Sequence, residues 1–221
     1  MKLKYTLATV RLGVVLGGAL LFSGLAAAGT ININSVPGLA TNLPGYPTAV
    51  AITPHPAWQT NNPANPGNNL DNSAVWISYA PTGYGDGHFQ PYQGTTPVVS
   101  IYSSFISGAG SLDLKVWADD TADVILDGNY LKTAVFTQST CSGQPIGCRP
   151  QDFALFTEPL TAGSHTLEFV LYQVGTGTDT RSNPFGLLFT GTAASAVPEP
   201  GVLSLVGLGL VGVGLLRRRS A

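Results

Sequence analysis

The sequence predicts an all-β protein, with an antiparallel β-sandwich in the central part of the chain. Short segments in which apolar and polar residues alternate recur between Ala74 and Gly191, and turn-forming residues separate them. No segment in this part of the sequence combines a helix cap with an apolar stripe at helical spacing. Short alternating strands at regular spacing are typical of two antiparallel sheets packed face to face.

Six segments carry the strand pattern. They are AVWISYA (74–80), VVSIYSSF (98–105), SLDLKVWA (111–118), ADVILDGNYLKTAVF (122–136), HTLEFVLYQV (165–174) and GLLFTG (186–191). In the third segment Leu112, Leu114 and Val116 recur at every second position, which predicts a strand with one buried face. In the fourth, Asp127 and Gly128 separate two β-rich halves. This pair is typical of a hairpin turn because both residues accept a positive φ.

Residues 29–72 precede these segments and are rich in Asn, Pro, Gly and Thr. Such a composition favours extended chain and loops over regular structure. We therefore predict an extended lead-in at 29–72, a sandwich domain at 73–192 and a linker at 193–200.

The first 28 residues have the pattern of a secretory signal peptide. Basic residues precede an apolar run at 12–25, and Ala26, Ala27 and Ala28 close it. We expect a signal helix that directs the chain to the Sec translocon, with cleavage by signal peptidase after Ala28 at the site formed by Ala26 and Ala28. The alternative is a retained anchor helix, for which the run is short.

Charge and cysteine content fit an exported protein. Between residues 29 and 196 there are four basic and eleven acidic residues, a net charge of −7. This balance argues against nucleic acid as a partner. Cys141 and Cys148 are the two cysteines of the chain, and we expect them to form a disulfide after export.

The C-terminal segment predicts a membrane span. Residues 201–216 carry no charge, and as a transmembrane helix they would extend about 24 Å. Arg217, Arg218 and Arg219 open a basic tail, 217–221, that the positive-inside rule places in the cytoplasm.

Val197, Pro198, Glu199 and Pro200 stand directly before this span. The order of these four residues, a short Gly-rich span and Arg217–Arg219 closely resembles the PEP-CTERM sorting signal. The resemblance implies that an exosortase cuts the chain near Pro-Glu-Pro. It also implies transient anchoring in the inner membrane of a Gram-negative bacterium, followed by transfer to the outer surface or to an exopolysaccharide (biofilm) matrix. An ordinary single-pass anchor is the alternative.

Two further segments, KVWADDTADVILDG (115–128) and LTAGSHTLEFVLYQ (160–173), resemble galactose-binding-like jelly rolls and protective-antigen-type lectin domains. The resemblance implies a jelly-roll-like sandwich that binds carbohydrate. In the protective-antigen-type lectins, paired aspartates at the position of Asp119 and Asp120 coordinate calcium, which in turn holds sugar hydroxyls. The alternative is that Asp119 and Asp120 cap a turn into the next strand.

Aromatic side chains are the other candidates for contact with a sugar. Trp58 lies in a Pro-rich loop, and Tyr84, His88 and Tyr92 lie in the loop TGYGDGHFQPY. Exposed rings in such loops would stack on sugar faces, although the second loop is equally explained as a connector. Trp76 and Trp117 lie in predicted strands, where core packing is favoured.

The sequence contains no pattern of a known catalytic site. His55, His88 and His165 are dispersed, and neither G-x-S-x-G nor H-E-x-x-H occurs. We therefore predict a non-enzymatic surface protein with no catalytic residues. The alternative is a secreted polysaccharide hydrolase, which would need two carboxylates about 5 to 9.5 Å apart in a cleft.

Overall fold

Eleven β-strands form the regular structure of residues 29–60, 73–136 and 146–195, the part of the chain that the computed structural model describes. They are β1 (Thr30–Asn34), β2 (Ala40–Thr41), β3 (Val50–Ala51), β4 (Ile77–Ser78), β5 (Val99–Ser107), β6 (Gly110–Asp119), β7 (Thr121–Leu126), β8 (Asn129–Lys132), β9 (Ala154–Leu160), β10 (Gly163–Tyr172) and β11 (Gly186–Ala194). The described residues contain no helix, as the sequence predicts.

The strands form two sheets in which every pair is antiparallel. One sheet has the order β3-β4-β11-β6-β9, and β1 also pairs with β11. The other has the order β2-β5-β10-β7-β8. Neighbours in each sheet are often distant in sequence, so the connections cross between sheets. This confirms the antiparallel β-sandwich.

Alternation within the strands builds the core. Leu112 and Leu114 of β6 and Leu167 and Phe169 of β10 are fully buried in one cluster. Phe169 also stacks on Phe189 of β11, with ring centroids 4.4 Å apart. Burying apolar surface stabilises the fold by about 25 cal/mol per Å², so these facing rows hold the sheets together.

The β7–β8 hairpin forms at the predicted turn. Asp127 has φ 50° and Gly128 has φ 80°, the pair of positive values that a type I′ turn requires. Within AVWISYA, by contrast, only Ile77 and Ser78 pair as a strand.

The predicted lead-in at 29–72 is wrong in part, because its first half belongs to the sandwich. Strand β1 pairs with β11 from Thr30 to Asn34, and Ile33 is buried in the core. The Asn-rich composition concealed the alternation in TININ. Strand β9 was also not predicted, and its Pro159 is tolerated because β9 is an edge strand. At the other end, β11 continues to Ala194, inside the predicted linker.

Several predictions fall on residues outside the described ranges. These are the signal segment with Ala26 and Ala28, Cys141, the motif at Val197–Pro200, the span at 201–216 and Arg217–Arg219. Cys148 is described, is fully buried and is not a free thiol. None of the described residues belongs to a helix long and apolar enough to cross a membrane.

Candidate functional site

A pocket of about 190 Å³ lies where β6 passes into β7. Asp119 is the last residue of β6, Asp120 follows it, and Thr121 begins β7. The peptide bond between the two aspartates is cis. The polar and aromatic side chains that line the pocket include Trp58, Asp119, Asp120, Arg149, Arg181 and Asn183. The pocket therefore brings together residues from four separate parts of the chain.

The Asp120 carboxylate is fixed by backbone groups that follow β10. Its Oδ2 accepts hydrogen bonds from the Val174 N–H, at 2.7 Å, and from the Gly175 N–H. The residue is 2% exposed. Asp120 thus ties the junction between β6 and β7 to the segment that follows β10, which is a different role from capping the local turn into β7.

The Asp119 carboxylate is held from the opposite side by an indole. Trp58 Nε1 donates to Asp119 Oδ2 at 2.8 Å, and the Trp58 ring packs on Trp76 with centroids 4.1 Å apart. Burial raises the pKa of Asp119 well above its ordinary value, and the adjacent charge of Asp120 raises it further. Neither carboxylate forms an ion pair with a described Lys or Arg side chain. The pair therefore has no direct ion-pair partner among the described basic residues.

Asn183 adds a third oxygen donor to this pair. Its Nδ2 donates to the Gly175 carbonyl oxygen at 3.0 Å, which fixes the orientation of the amide. A Cβ atom placed on Gly175 would overlap Asn183 Oδ1 and would lie 3.1 Å from Asp120 Oδ2. Because Gly175 has no side chain, the two oxygens approach the same region of space. No local pattern predicted Asn183 or Gly175, because both lie more than 50 residues beyond Asp120.

The donor set fits a hard cation. Carboxylate and amide oxygens are what calcium binds, and it takes six to eight of them. Among the described residues, no group of three or more His, Cys, Asp and Glu side chains could hold a metal. Asp119, Asp120 and Asn183 would therefore supply only part of a calcium shell, and backbone, water or ligand oxygens would complete it.

The predicted aromatic contacts do not form one platform. Trp58 is only 2% exposed, so the expectation of a solvent-facing ring is wrong. The tryptophan is buried because its ring packs on Trp76 and its N–H is bound to Asp119. As predicted, Trp76 and Trp117 are also buried.

The other three aromatic candidates are dispersed. The Tyr84 ring contacts His55, with centroids 4.9 Å apart, at the border of the pocket. His88 belongs to another cluster, where its Nε2 lies 3.1 Å from the Tyr79 hydroxyl. Tyr92 is 56% exposed. Of the four predicted residues, only Trp58 lines the pocket, and Tyr84 touches a residue that does.

The other end of β7 carries an aspartate that already has its partners. Asp127 Oδ2 lies 2.6 Å from His165 Nδ1, and Asp127 Oδ1 accepts from the Thr166 N–H at 2.8 Å. His165 Nε2 lies 3.0 Å from the Thr161 carbonyl oxygen. The hydrogen bond to Asp127 raises the pKa of His165. This cluster ties the β7–β8 turn to β10 and has a structural role.

Comparison with solved structures finds carbohydrate-binding modules among the similar folds. A family 35 module from Clostridium thermocellum is 9% identical over 76% of this chain and all of that one, with a TM-score of 0.36. The family 35 module from Paenibacillus barcinonensis is 11% identical over 76% of this chain and 99% of that one, with a TM-score of 0.33.

A Podospora anserina mannanase that contains such a module is 12% identical, with a TM-score of 0.34. The match covers 78% of this chain and 29% of the enzyme. The fold assignment rests on the strand order and registers described above.

Comparison with curated proteins finds no match to this chain. Comparison with protein-family models identifies one segment, at residues 196–219, by the description PEP-CTERM protein-sorting motif. This segment contains Val197–Pro200 and Arg217–Arg219, the residues that carried the resemblance in the sequence. The chain thus ends in a PEP-CTERM sorting motif that follows an antiparallel β-sandwich.

Proposed function

We propose that this protein is a non-enzymatic surface protein whose sandwich binds carbohydrate through a calcium ion at Asp119 and Asp120. The observation that carries the proposal is the pair itself: two adjacent carboxylates, both buried, at the wall of an open pocket. Burying like charges side by side is costly unless a cation or a proton offsets them. A divalent cation would remove that cost and keep the pair in place.

The residues around the pair prepare it for such an ion. Trp58 and the N–H groups of Val174 and Gly175 fix the two carboxylates, so little conformational freedom is lost on binding. Calcium, when bound, would offer open coordination positions to sugar hydroxyls. Asn183 would contribute its amide oxygen from the same side of Gly175 as Asp120 Oδ2.

Calcium titration tests the metal site. The full chain, purified in detergent, is titrated with CaCl₂ or MgCl₂ by isothermal calorimetry, and its thermal unfolding is compared in calcium and in EDTA. We expect saturable calcium binding and, at 100 times the dissociation constant, stabilisation of about 2.7 kcal/mol. Asp119→Asn should abolish both. Asp113→Asn, on the exposed side of the same strand, is the matched control.

A glycan array probed in calcium and in EDTA tests the ligand. Binding that requires calcium and is lost in Asp119→Asn supports the proposal. Calcium-independent binding, or no calcium binding at all, would overturn it. Release of new reducing ends from a bound polysaccharide would instead identify the hydrolase.

We also propose that an exosortase processes the chain at Pro198–Pro200 and passes the released protein to the outer surface or the extracellular matrix. The two prolines favour extended chain and disfavour helix, which suits a segment that must enter a protease. Mass spectrometry of the protein from its own cells should find a C-terminus near Pro200. Intact chains ending in Arg217–Ala221 in the inner membrane would indicate a single-pass anchor instead.

A further inference from the structure

The outer face of the sheet that contains β11, β6 and β9 changes character along β6. Next to the pocket, the outward-facing Trp117 is fully buried and packs on Phe153, with ring centroids 5.3 Å apart. Lys115 marks the border, since its Nζ lies over the same Phe153 ring at 5.2 Å. Asp113, the next outward-facing residue, is exposed. The part of this face beyond Lys115 is therefore open to solvent.

Two rows of side chains cross this open face. From β11 to β9 they are Thr190, Lys115 and Leu155, followed by Thr192, Asp113 and Thr157. The rows flank a depression of about 160 Å³. Leu155 is 62% exposed, so it adds apolar area to a face of hydroxyl groups and charges.

The two charges of these rows are opposite in sign and have no ion-pair partner. Asp113 and Lys115 are two residues apart on β6, which separates their Cα atoms by about 6.8 Å. Neither forms an ion pair with a described residue, although Asp113 Oδ1 accepts a hydrogen bond from the Thr157 hydroxyl at 2.8 Å. The open face thus has no net charge, in a domain whose net charge is −7.

A second copy of this chain fits such a face. The net negative charge makes two copies repel each other, and the repulsion is weakest where a face is neutral. A two-fold axis brings residue i against residue j of the partner and residue j against residue i. If the axis lies in the interface and crosses β6 at Leu114, Lys115 of each copy faces Asp113 of the other. Two opposite-charge contacts then form that the single chain lacks.

The outer face of the other sheet does not offer the same contact. The chain that follows β8 packs on it, where the Ala134 N–H donates to Asp123 Oδ1 at 2.6 Å and the Phe136 ring packs on Tyr172. This face also carries Glu168, which has no ion-pair partner among the described residues. Two copies meeting there would bring like charges together.

We propose that two copies of this chain associate through the outer faces of β6, β9 and β11, with Lys115 of each copy paired to Asp113 of the other and Leu155 buried between them. Charge pairs decide the register of such a contact, and apolar area adds to its affinity.

The dimer would hold its two pockets apart. Strand β6 of one copy runs antiparallel to β6 of the other, and Asp119 lies five residues beyond Leu114, a distance of about 17 Å. The two pockets would therefore lie about 35 Å apart, at opposite ends of the dimer. Two carbohydrate sites so placed would link two polysaccharide chains. This consequence rests on the proposed function, whereas the dimer itself does not.

Sedimentation velocity tests the association. The full chain in density-matched detergent is measured over a concentration series, in EDTA and without sugar. We expect a reversible monomer–dimer equilibrium. Asp113→Lys and Lys115→Asp should each raise the dissociation constant about 10-fold or more, because each brings like charges together. Lys132→Asp, a charge reversal on the exposed β8, is the control and should leave the dissociation constant unchanged.

Complementary variants then test the register. The double variant Asp113→Lys/Lys115→Asp exchanges the two charges and should dimerise like the natural chain. Mixing the two single variants should restore association as a heterodimer, which differently tagged chains reveal by co-purification. Leu155→Ser should weaken the dimer, whereas Ile106→Ser, at a 65% exposed position of β5, should not.

The outcomes separate this inference from the proposed function. A monomer at every concentration, or an association that survives unchanged in both single variants, would overturn the dimer, and the proposed calcium-dependent binding of carbohydrate would stand. Weakened association in the single variants without recovery in their mixture would overturn the two-fold register. A dimer that behaves as expected but binds no calcium would retain the interface and refute the proposed function.

Discussion

The two ends of strand β7 carry aspartates in opposite electrostatic settings. At the start of β7, burial and the charge of Asp120 raise the pKa of Asp119. At the end of β7, burial acts to raise the pKa of Asp127, but hydrogen bonds from His165 and from the Thr166 N–H, together with the charge of His165, outweigh it and lower that pKa. The aspartates at the first end have no ion-pair partner among the described residues, whereas Asp127 has His165.

This difference separates a candidate binding site from a structural contact. The Asp127 carboxylate has a histidine and a backbone N–H as hydrogen-bond partners, and these partners account for its place in the fold. Asp119 and Asp120 have hydrogen-bond donors but no ion-pair partner among the described residues. A buried carboxylate pair that the fold does not neutralise is a position where an external cation can add stability.

The largest effect is expected from Gly175→Ala. The new Cβ would overlap Asn183 Oδ1 and approach Asp120 Oδ2, so we expect a loss of about 2 to 3 kcal/mol in unfolding free energy and loss of calcium binding. Urea unfolding and calcium calorimetry measure the two effects. Gly87→Ala is the control, because no atom lies within 4 Å of its Cβ position. Unchanged calcium affinity in Gly175→Ala would exclude Asn183 from the site.

A smaller effect is expected from Trp58→Phe, which keeps a ring against Trp76 and removes the donor to Asp119. We expect the unfolding free energy to fall by about 1 to 2 kcal/mol and the calcium affinity to fall as well. Trp76→Phe is the matched control, since it also loses one indole hydrogen bond, to the Gln59 carbonyl oxygen. Equal calcium affinities in the two variants would contradict the role given to Trp58.

The pH dependence of stability should differ between the two ends. The folded-state pKa of His165 is raised, so the stabilisation by this histidine is complete below about pH 6.5 and is lost as pH rises through the folded pKa. The folded-state pKa of Asp127 is lowered. The stabilisation of the fold by the ionised Asp127 is therefore lost as pH falls below about 4.

Asp119 should change stability with pH in the opposite direction to Asp127. Because its folded-state pKa is raised, calcium-free protein should lose stability as pH rises from about 4 to that pKa. Bound calcium should remove this dependence of stability on pH.

His165→Gln tests the pH dependence expected at the Asp127 end of β7. We expect it to cost about 0.5 to 1 kcal/mol near pH 5 and almost nothing near pH 9, with no change in calcium affinity. Thermal unfolding across this range, with His88→Gln as the control, measures the difference. A cost that does not change with pH would mean that His165 acts through packing alone.

The smallest effect is expected from Tyr92→Ala. The ring is 56% exposed and does not line the pocket, so the unfolding free energy should change by less than about 0.5 kcal/mol and calcium affinity should not change. A loss of glycan binding in this variant would restore Tyr92 as a platform outside the pocket.

Much of the fold followed from local pattern. The alternation in β6 and β10 predicted both the strands and their buried faces, and Asp127-Gly128 predicted the hairpin, because side-chain parity and turn geometry act over a few residues. The same rules failed for β1 and β9. Both strands are defined by pairing with a distant neighbour, and Asn or Pro residues weaken their local pattern.

The sequence by itself determined that the chain is a sandwich ending in a sorting motif, and it singled out Asp119 and Asp120. Only the tertiary structure decided what surrounds them. The bond from Trp58 to Asp119 spans 61 residues, and the bond from Val174 to Asp120 spans 54. Parity assigns a side chain to a face of its own sheet but not to its neighbours across loops and sheets. The pocket, its two arginines and the burial of Trp58 therefore depend on how the strands pack.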